Sequence, residues 1–228
     1  MAIEAPNQST LSVSDTKSAS DTRPASGSDR AWQRMLSGRR LDLLDPSPLD
    51  IEIEDIAVGL ARVARWNGQT SGAWALSVAQ HSLLVEDLIG HFRRDVPTAW
   101  RLLALLHDAP EYVIGDLITP FKSALGGDYM AIEQRLMAAI RRRFGLSNLP
   151  KAAGHLIKRA DRAAAYLEAT KVAGFPVDEA RRLFDPKGSF LALGLDDMPL
   201  EPSPPMEVEA AFLMRFHEIS EVVAPPRP

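Results

Sequence analysis

Four residues able to hold a divalent cation stand inside otherwise apolar stretches of the chain. They are His81 in SVAQHSLLV, His107 and Asp108 in LLALLHDAPE, and Asp161 in LIKRADRAAAYLEA. His81 follows Val78 by three positions and precedes Leu84 by three, so on a helix it shares the stripe that faces the core. His107 follows Leu103 by four, and Asp161 follows Ile157 by four. A carboxylate on a core face is costly unless it is paired or metal-bound. Two imidazoles and two carboxylates from three helices make a mixed nitrogen and oxygen set. Such a set suits one first-row divalent ion with positions left open for water. Helix neighbours diverge by about 100°, so His107 and Asp108 reach one ion together most readily at a helix end. Pro110 and Gly115 supply that end. Each histidine alone reads as a core residue; the order H…HD…D on apolar faces is what points to a metal.

These residues need helices to position them. Ile53, Ile56, Leu60, Val63 and Ala64 recur at helical spacing after Asp50, a potential cap. Ser77 is placed to cap a helix running VAQHSLLVEDLIGHFRRD, after the Gly-containing loop NGQTSGAWALS. Pro97 opens the next helix, TAWRLLALLHDAPE, with Pro110 near its end. Residues 129–144 form an amphipathic helix with a basic end suited to its dipole, residues 152–173 another, and residues 208–222 the last. Residues 31–50 mix a short helix-like piece with Pro-broken extended chain, and residues 174–205 read as an irregular excursion. The expectation is an all-α globule of about six helices without convincing alternating strands, spanning 30–222. Residues 1–29, rich in Ser, Asp, Thr, Ala and Pro, read as a disordered tail, and the final APPRP likewise.

Composition narrows the chemistry. The chain of 228 residues carries a formal net charge of −4, so it has no overall attraction for a nucleic-acid polymer. A small phosphate ester needs only a few local cations and a metal. With no cysteine, disulfides, thiolate zinc sites, iron–sulfur clusters and cysteine nucleophiles are excluded. No secretory signal and no membrane-length apolar stretch is visible, so a soluble cytoplasmic protein is expected.

The stretches RWNG…SVAQHSLLV, ALLHDAPEYVIGDLITPFK and IKRADRAAAYLEA resemble the HD-domain phosphohydrolases. More narrowly, they resemble the branch holding bacterial 5′-deoxynucleotidases and phage dATP triphosphohydrolases. The likeness covers about residues 50–173, and the block HDAPE…GDLxTPxK is its most specific part. It implies an all-helical HD fold, one catalytic divalent ion (Mn, Co, Zn, Fe and Mg are not distinguished), and hydrolysis of small nucleotides. His81, His107, Asp108 and Asp161 match the metal ligands of that family, and Glu111 its acidic catalytic residue. Arg65 and Trp66 match a pair used in substrate recognition. Asp116, Thr119 and Lys122 fall on the motif lining its nucleotide site.

The chemistry of these residues agrees with the carry-over. A bound ion would lower the pKa of a water and polarise a phosphoryl oxygen. Glu111, one turn beyond Asp108, could act as general acid or base, or orient water. Lys122 is placed to meet phosphate as a point charge, or to be a solvated lysine. Arg65 could grip phosphate oxygens and Trp66 could stack on a base, or the pair could close a helix against the core. Asp116 could accept from a sugar hydroxyl or cap a turn, and Thr119 is equally open. His91, His155 and His217 read as non-ligands, and Arg141–Arg143 as a solvated helix end. The leading reading is hydrolysis of 2′-deoxynucleoside 5′-monophosphates. A dNTP triphosphohydrolase and a non-catalytic nucleotide-binding module are the alternatives. The long amphipathic helices make a homodimer reasonable.

Overall fold

Residues 31–50 fold as a small hairpin rather than the helix-like piece expected from their composition. Trp32–Arg34 pairs antiparallel with Arg40–Asp42, in the register Gln33 to Leu41. The turn between them closes through Gly38 at φ 87°, a conformation that glycine adopts without penalty. Strands of three residues are too short to print an alternating pattern, which is why the sequence hides them. Leu41 is the hairpin's anchor and is fully buried. Ser37 in the turn binds the carboxylate of Asp55 through its amide at 2.9 Å and also through its hydroxyl. The computed structural model describes residues 31–118, 121–122, 127–190 and 193–223. The expected tails at 1–29 and 224–228 lie outside them.

The rest is helical, giving one mostly α domain with this single two-stranded sheet among the described residues. Helix α1 spans Ile53–Arg62 and buries Ile53, Ile56, Ala57, Leu60 and Ala61. It starts later and stops sooner than its apolar pattern suggests. Asp50 closes a short 3-10 turn, Pro48–Asp50, instead of capping α1. Val63 and Ala64 are extended, because Ala64 bridges Ser77 and the Val63 carbonyl accepts from Val78. Helix α2, Val78–Phe92, begins where expected, with the Ser77 hydroxyl accepting from the Gln80 amide. Helix α3 spans Thr98–Leu105 and a one-turn α4 spans Glu111–Ile114. His107 and Asp108 therefore occupy the turn between two helices, not a helix interior.

Helix α5 is Gly127–Arg143 and α6 is Lys151–Lys171. The stretch expected to be irregular contains a further helix, α7, Val177–Phe184, and α8 spans Pro205–Val223. Composition obscured α7, since its Gly and Pro flanks dominate the segment.

Two packings matter for the site. α2 lies along α6, whose buried Ala160, Ala163, Ala164 and Ala169 let the helix backbones approach closely. α1 lies so close to α4 that a Cβ on Gly59 would sit 2.7 Å from the Tyr112 Cβ and 2.9 Å from its carbonyl oxygen. α8 closes the core over α1, α2 and α3. It buries Val208, Phe212, Phe216 and Ile219, and each phenylalanine contributes about 2 kcal/mol.

Candidate metal centre

His81, His107 and Asp108 converge: one donor atom from each lies within 4.8 Å of the other two. His81 Nε2 is 3.3 Å from His107 Nε2 and 3.6 Å from Asp108 Oδ2, and His107 Nε2 is 3.2 Å from Asp108 Oδ2. Donors about 2.1 Å from one ion stand roughly 3.0–3.4 Å from each other in tetrahedral or octahedral shells; the two spacings to His107 fall in that window and the His81–Asp108 spacing lies just above it, an arrangement consistent with a divalent cation. The tautomers fit as well. His107 donates from Nδ1 to the Ala104 carbonyl at 2.8 Å, which leaves its Nε2 lone pair facing the cluster. His81 turns Nδ1 to Glu168 and Nε2 inward. The cluster could hold a divalent metal ion and serve as a metal-dependent catalytic centre.

Asp161 stands outside that tight trio. Its Oδ1 reaches His81 Nε2 at 3.3 Å, and 40% of the side chain is exposed. It joins the cluster as a neighbour of His81, from the adjoining helix.

Glu168 is the functional residue that the sequence reading missed. It is fully buried on α6, two turns beyond Asp161 and on the same face. Its carboxylate accepts from His81 Nδ1, from Trp66 Nε1 at 2.9 Å, and from Arg65 Nε and Nη2 at 3.1 and 2.9 Å. Burial alone would raise its pKa. The facing His81 and Arg65 charges, with the hydrogen bonds from His81 and Trp66, hold it at about 2 instead. For His81 in the metal-free chain, burial and Arg65 oppose the charged form, but Glu168 and Asp161 prevail and push it up to about 10, so a cation at Nε2 would bind in exchange for that proton. Asp108 is half-buried, and the desolvation that would raise its pKa is outweighed by His107, His81 and Arg65, which lower it. Asp161, partly exposed, is lowered likewise, its partial desolvation outweighed by His81 and His107.

Arg65 and Trp66, read as a substrate-recognition pair, thus spend donors on Glu168. Arg65 also reaches Asp116 at 3.5 Å. Burial raises the Asp116 pKa, with Arg65 opposing. Trp66 and Asn67 both hold left-handed backbone, φ 56° and 52°, which a bulky residue avoids. The hydrogen bond to Glu168, a tilted contact with Phe175 and an edge contact with Phe184, at 5.5 and 6.0 Å between centroids, hold Trp66 there.

Glu111 opens α4 and is 2% exposed. Its Oε1 accepts from Lys122 Nζ at 3.1 Å, while Oε2 is buried and makes no hydrogen bond among the described residues. Burial, then the charges of Asp108 and Asp116, push its pKa up to about 8, against the pull of Lys122. Lys122 also meets Glu133 at 3.4 Å; burial opposes its charge, but the two acids raise its pKa overall. The structure therefore brings Lys122 to Glu111 and Glu133. Thr119 lies outside the described residues.

A cavity of about 720 Å³ opens beside the cluster, between residues 107–110 and one face of α5. Arg141 and Arg142 line it with Gln134 and Met137, and like Arg143 they are exposed, in keeping with the expected solvated helix end. Arg143 also binds the Ile51 carbonyl and Glu52.

No family model matches the chain. It is 57% identical over 189 residues to an uncharacterized protein of Rhodobacter capsulatus, covering 82% of this chain and 95% of that protein. It is 32% identical over 179 residues to the uncharacterized protein YfdR of Escherichia coli, covering 76% of this chain and 86% of that protein. No described helix is long and apolar enough to cross a membrane.

Proposed function

The chain belongs to the family of these Rhodobacter capsulatus and Escherichia coli proteins, and we propose that it is an HD-type, metal-dependent phosphohydrolase of small nucleotides. The observation that carries this reading is the convergence of His81, His107 and Asp108 beside a buried acid, Glu111, with one unengaged oxygen. Asp161, 3.3 Å from His81 Nε2, would complete the ligand set. A divalent ion held there would supply a Lewis acid for a phosphoryl oxygen and lower the pKa of a water.

The chain's own groups do the rest. Glu111 Oε2 takes a proton from the attacking water or returns one to the leaving oxygen, with Lys122 fixing the other carboxylate oxygen. Arg141 and Arg142, on the cavity wall, neutralise phosphate oxygens. Arg65 and Trp66 act from behind by keeping Glu168, and through it His81, in place. Asp116, paired with Arg65 at 3.5 Å, would accept from a sugar hydroxyl.

The leading substrate is a 2′-deoxynucleoside 5′-monophosphate, with water breaking the ester to give nucleoside and phosphate. A dNTP split to nucleoside and triphosphate is the second reading, favoured by the two guanidinium groups across the cavity from Asp108. The reading includes a cytoplasmic homodimer. The test is phosphate and triphosphate release from a nucleotide panel with Mn²⁺, Co²⁺, Zn²⁺, Fe²⁺ or Mg²⁺, run beside Asp108→Ala and Glu111→Ala. Asp108→Ala loses both metal and turnover, whereas Glu111→Ala keeps metal and loses turnover. Full activity in either variant overturns the roles assigned, and metal binding by the native protein without any product favours a non-catalytic nucleotide-binding module.

A further inference from the structure

A second groove, of about 400 Å³, opens between α6 and the segment following α7. None of His81, His107, Asp108 and Asp161 lines it. Its floor is apolar, with Phe190 buried and Phe184 half-buried beside Pro186. Around the rim stand His155, Lys158, Arg159 and Arg162 from α6, and Lys187 from beyond α7. The α6 members sit at i, i+3, i+4 and i+7, so they form one stripe along the helix.

Three features set this stripe apart from an ordinary solvated face. First, none of the five makes an ion pair with a carboxylate among the described residues. The acid that lines the groove, Asp185, is committed elsewhere. Its oxygens accept from the Ser189 amide and hydroxyl, both at 2.9 Å, and from the Phe190 amide at 2.8 Å. Second, the two guanidinium groups are held in place. Arg162 donates from Nη2 to the Phe184 carbonyl at 3.0 Å, and Arg159 lies 4.1 Å from the centroid of the Phe92 ring. Such fixing reduces the entropy lost when an anion is gripped. Third, the cations gather here although the chain as a whole is at −4. Concentrated positive charge on an acidic protein makes a local anion trap, not a general affinity for polyanions.

We propose that this groove is a binding site for a small molecule bearing two or more phosphate groups. Lys158, Arg162 and Lys187 meet the phosphates, and Phe184 and Pro186 accept whatever flat group the phosphates carry. The proposal is independent of the metal cluster, because every residue it uses lies outside that cluster.

The test is calorimetric titration of tripolyphosphate into full-length Asp108→Ala protein in the presence of a chelator, so that no metal-bridged phosphate contributes. Lys158→Glu with Lys187→Glu changes two exposed side chains that make no ion pair among the described residues, so the fold is retained. That double variant should weaken binding about tenfold or more, given the strength of charge-assisted bonds. Arg141→Ala with Arg142→Ala, in the other cavity, should leave this binding unchanged. A nucleoside triphosphate that binds more tightly than tripolyphosphate, and loses that advantage in Phe184→Leu, supports the aromatic floor. The proposal is overturned by absence of tripolyphosphate binding, by binding that survives the Lys158/Lys187 double variant, or by binding lost only in the Arg141/Arg142 variant. Tighter binding of a single-stranded oligonucleotide than of any small phosphate would overturn the ligand class.

Discussion

Glu168 and His81 face each other between α6 and α2, both fully buried, with the imidazole Nδ1 against one carboxylate oxygen. The other oxygen holds Arg65 and Trp66. One acid therefore ties the left-handed turn after α1 to the orientation of an imidazole in the candidate metal cluster.

Replacing Glu168 by Gln keeps the shape and removes the charge. Outer partners of this kind are worth about 10–100-fold in metal affinity. The expected outcome is a loss of that order in Mn²⁺ or Co²⁺ binding measured by calorimetry. Glu168→Ala also leaves the Arg65 guanidinium buried without its main partner and should cost about 3–5 kcal/mol in urea unfolding. Unchanged metal affinity in Glu168→Gln would remove Glu168 from the site.

The elevated pKa of Glu111 predicts how the metal-stripped protein responds to pH. Folding raises this pKa from an ordinary 4.5 to about 8, first through burial and then through Asp108 and Asp116. Between those values the folded chain retains a proton that the unfolded chain has released, so rising pH favours unfolding. Glu111's contribution is fully present below pH 4.5 and is lost as pH passes 8. Thermal melts in chelator should show Tm falling across this window, with a shallower fall in Glu111→Gln. Identical slopes for the two proteins would contradict the assignment.

Gly59→Ala drives a methyl group into Tyr112, whose Cβ and backbone would lie under 3.0 Å away. Overpacking of this kind costs about 1–3 kcal/mol. The strain falls on α4, which carries Glu111 but not the three clustered metal donors. Turnover should therefore drop more than metal affinity does, a difference that parallel kinetic and calorimetric titrations would reveal.

Glu86 is buried on α2 and accepts from Arg101 of α3 at 2.6 Å and from two nitrogens of Arg215 on α8 at 2.8 Å. Glu86→Ala strands both guanidinium groups, each about a third exposed, and should lower stability by about 2–3 kcal/mol. Metal affinity per folded molecule should not change. Denaturant titration and metal titration separate the two effects.

His81, His107 and Asp108 were legible because a polar residue on an apolar helical face is a conflict that must be resolved somewhere. The placement of His107 and Asp108 at a helix end followed from the angle between adjacent residues, and the observed turn agrees with it. Glu168 was harder to see, since an acid in AAAYLEATK looks like any surface carboxylate near a helix end. Extending the stripe Ile157, Asp161, Ala164 by one turn reaches it, and that was the available signal. Nothing local shows that Arg141 and Arg142 face His107, because that depends on α5 folding back across the 107–110 turn. The role of Trp66 was also hidden: its partners Glu168, Phe175 and Phe184 lie a hundred residues or more away in sequence.

The last helix carries a consequence for how the molecule comes into being. Val208, Phe212, Phe216 and Ile219 cover α1 and its neighbours, elements made about 150 residues earlier. While the ribosome is still adding the residues of α8, the part of those early helices that α8 will cover stays open to water, although α2 and α4 already pack on α1. Completion of that part of the core waits on the arrival of α8, and a chain that lacks residues 205–223 is a sticky fragment suited to chaperones or proteases.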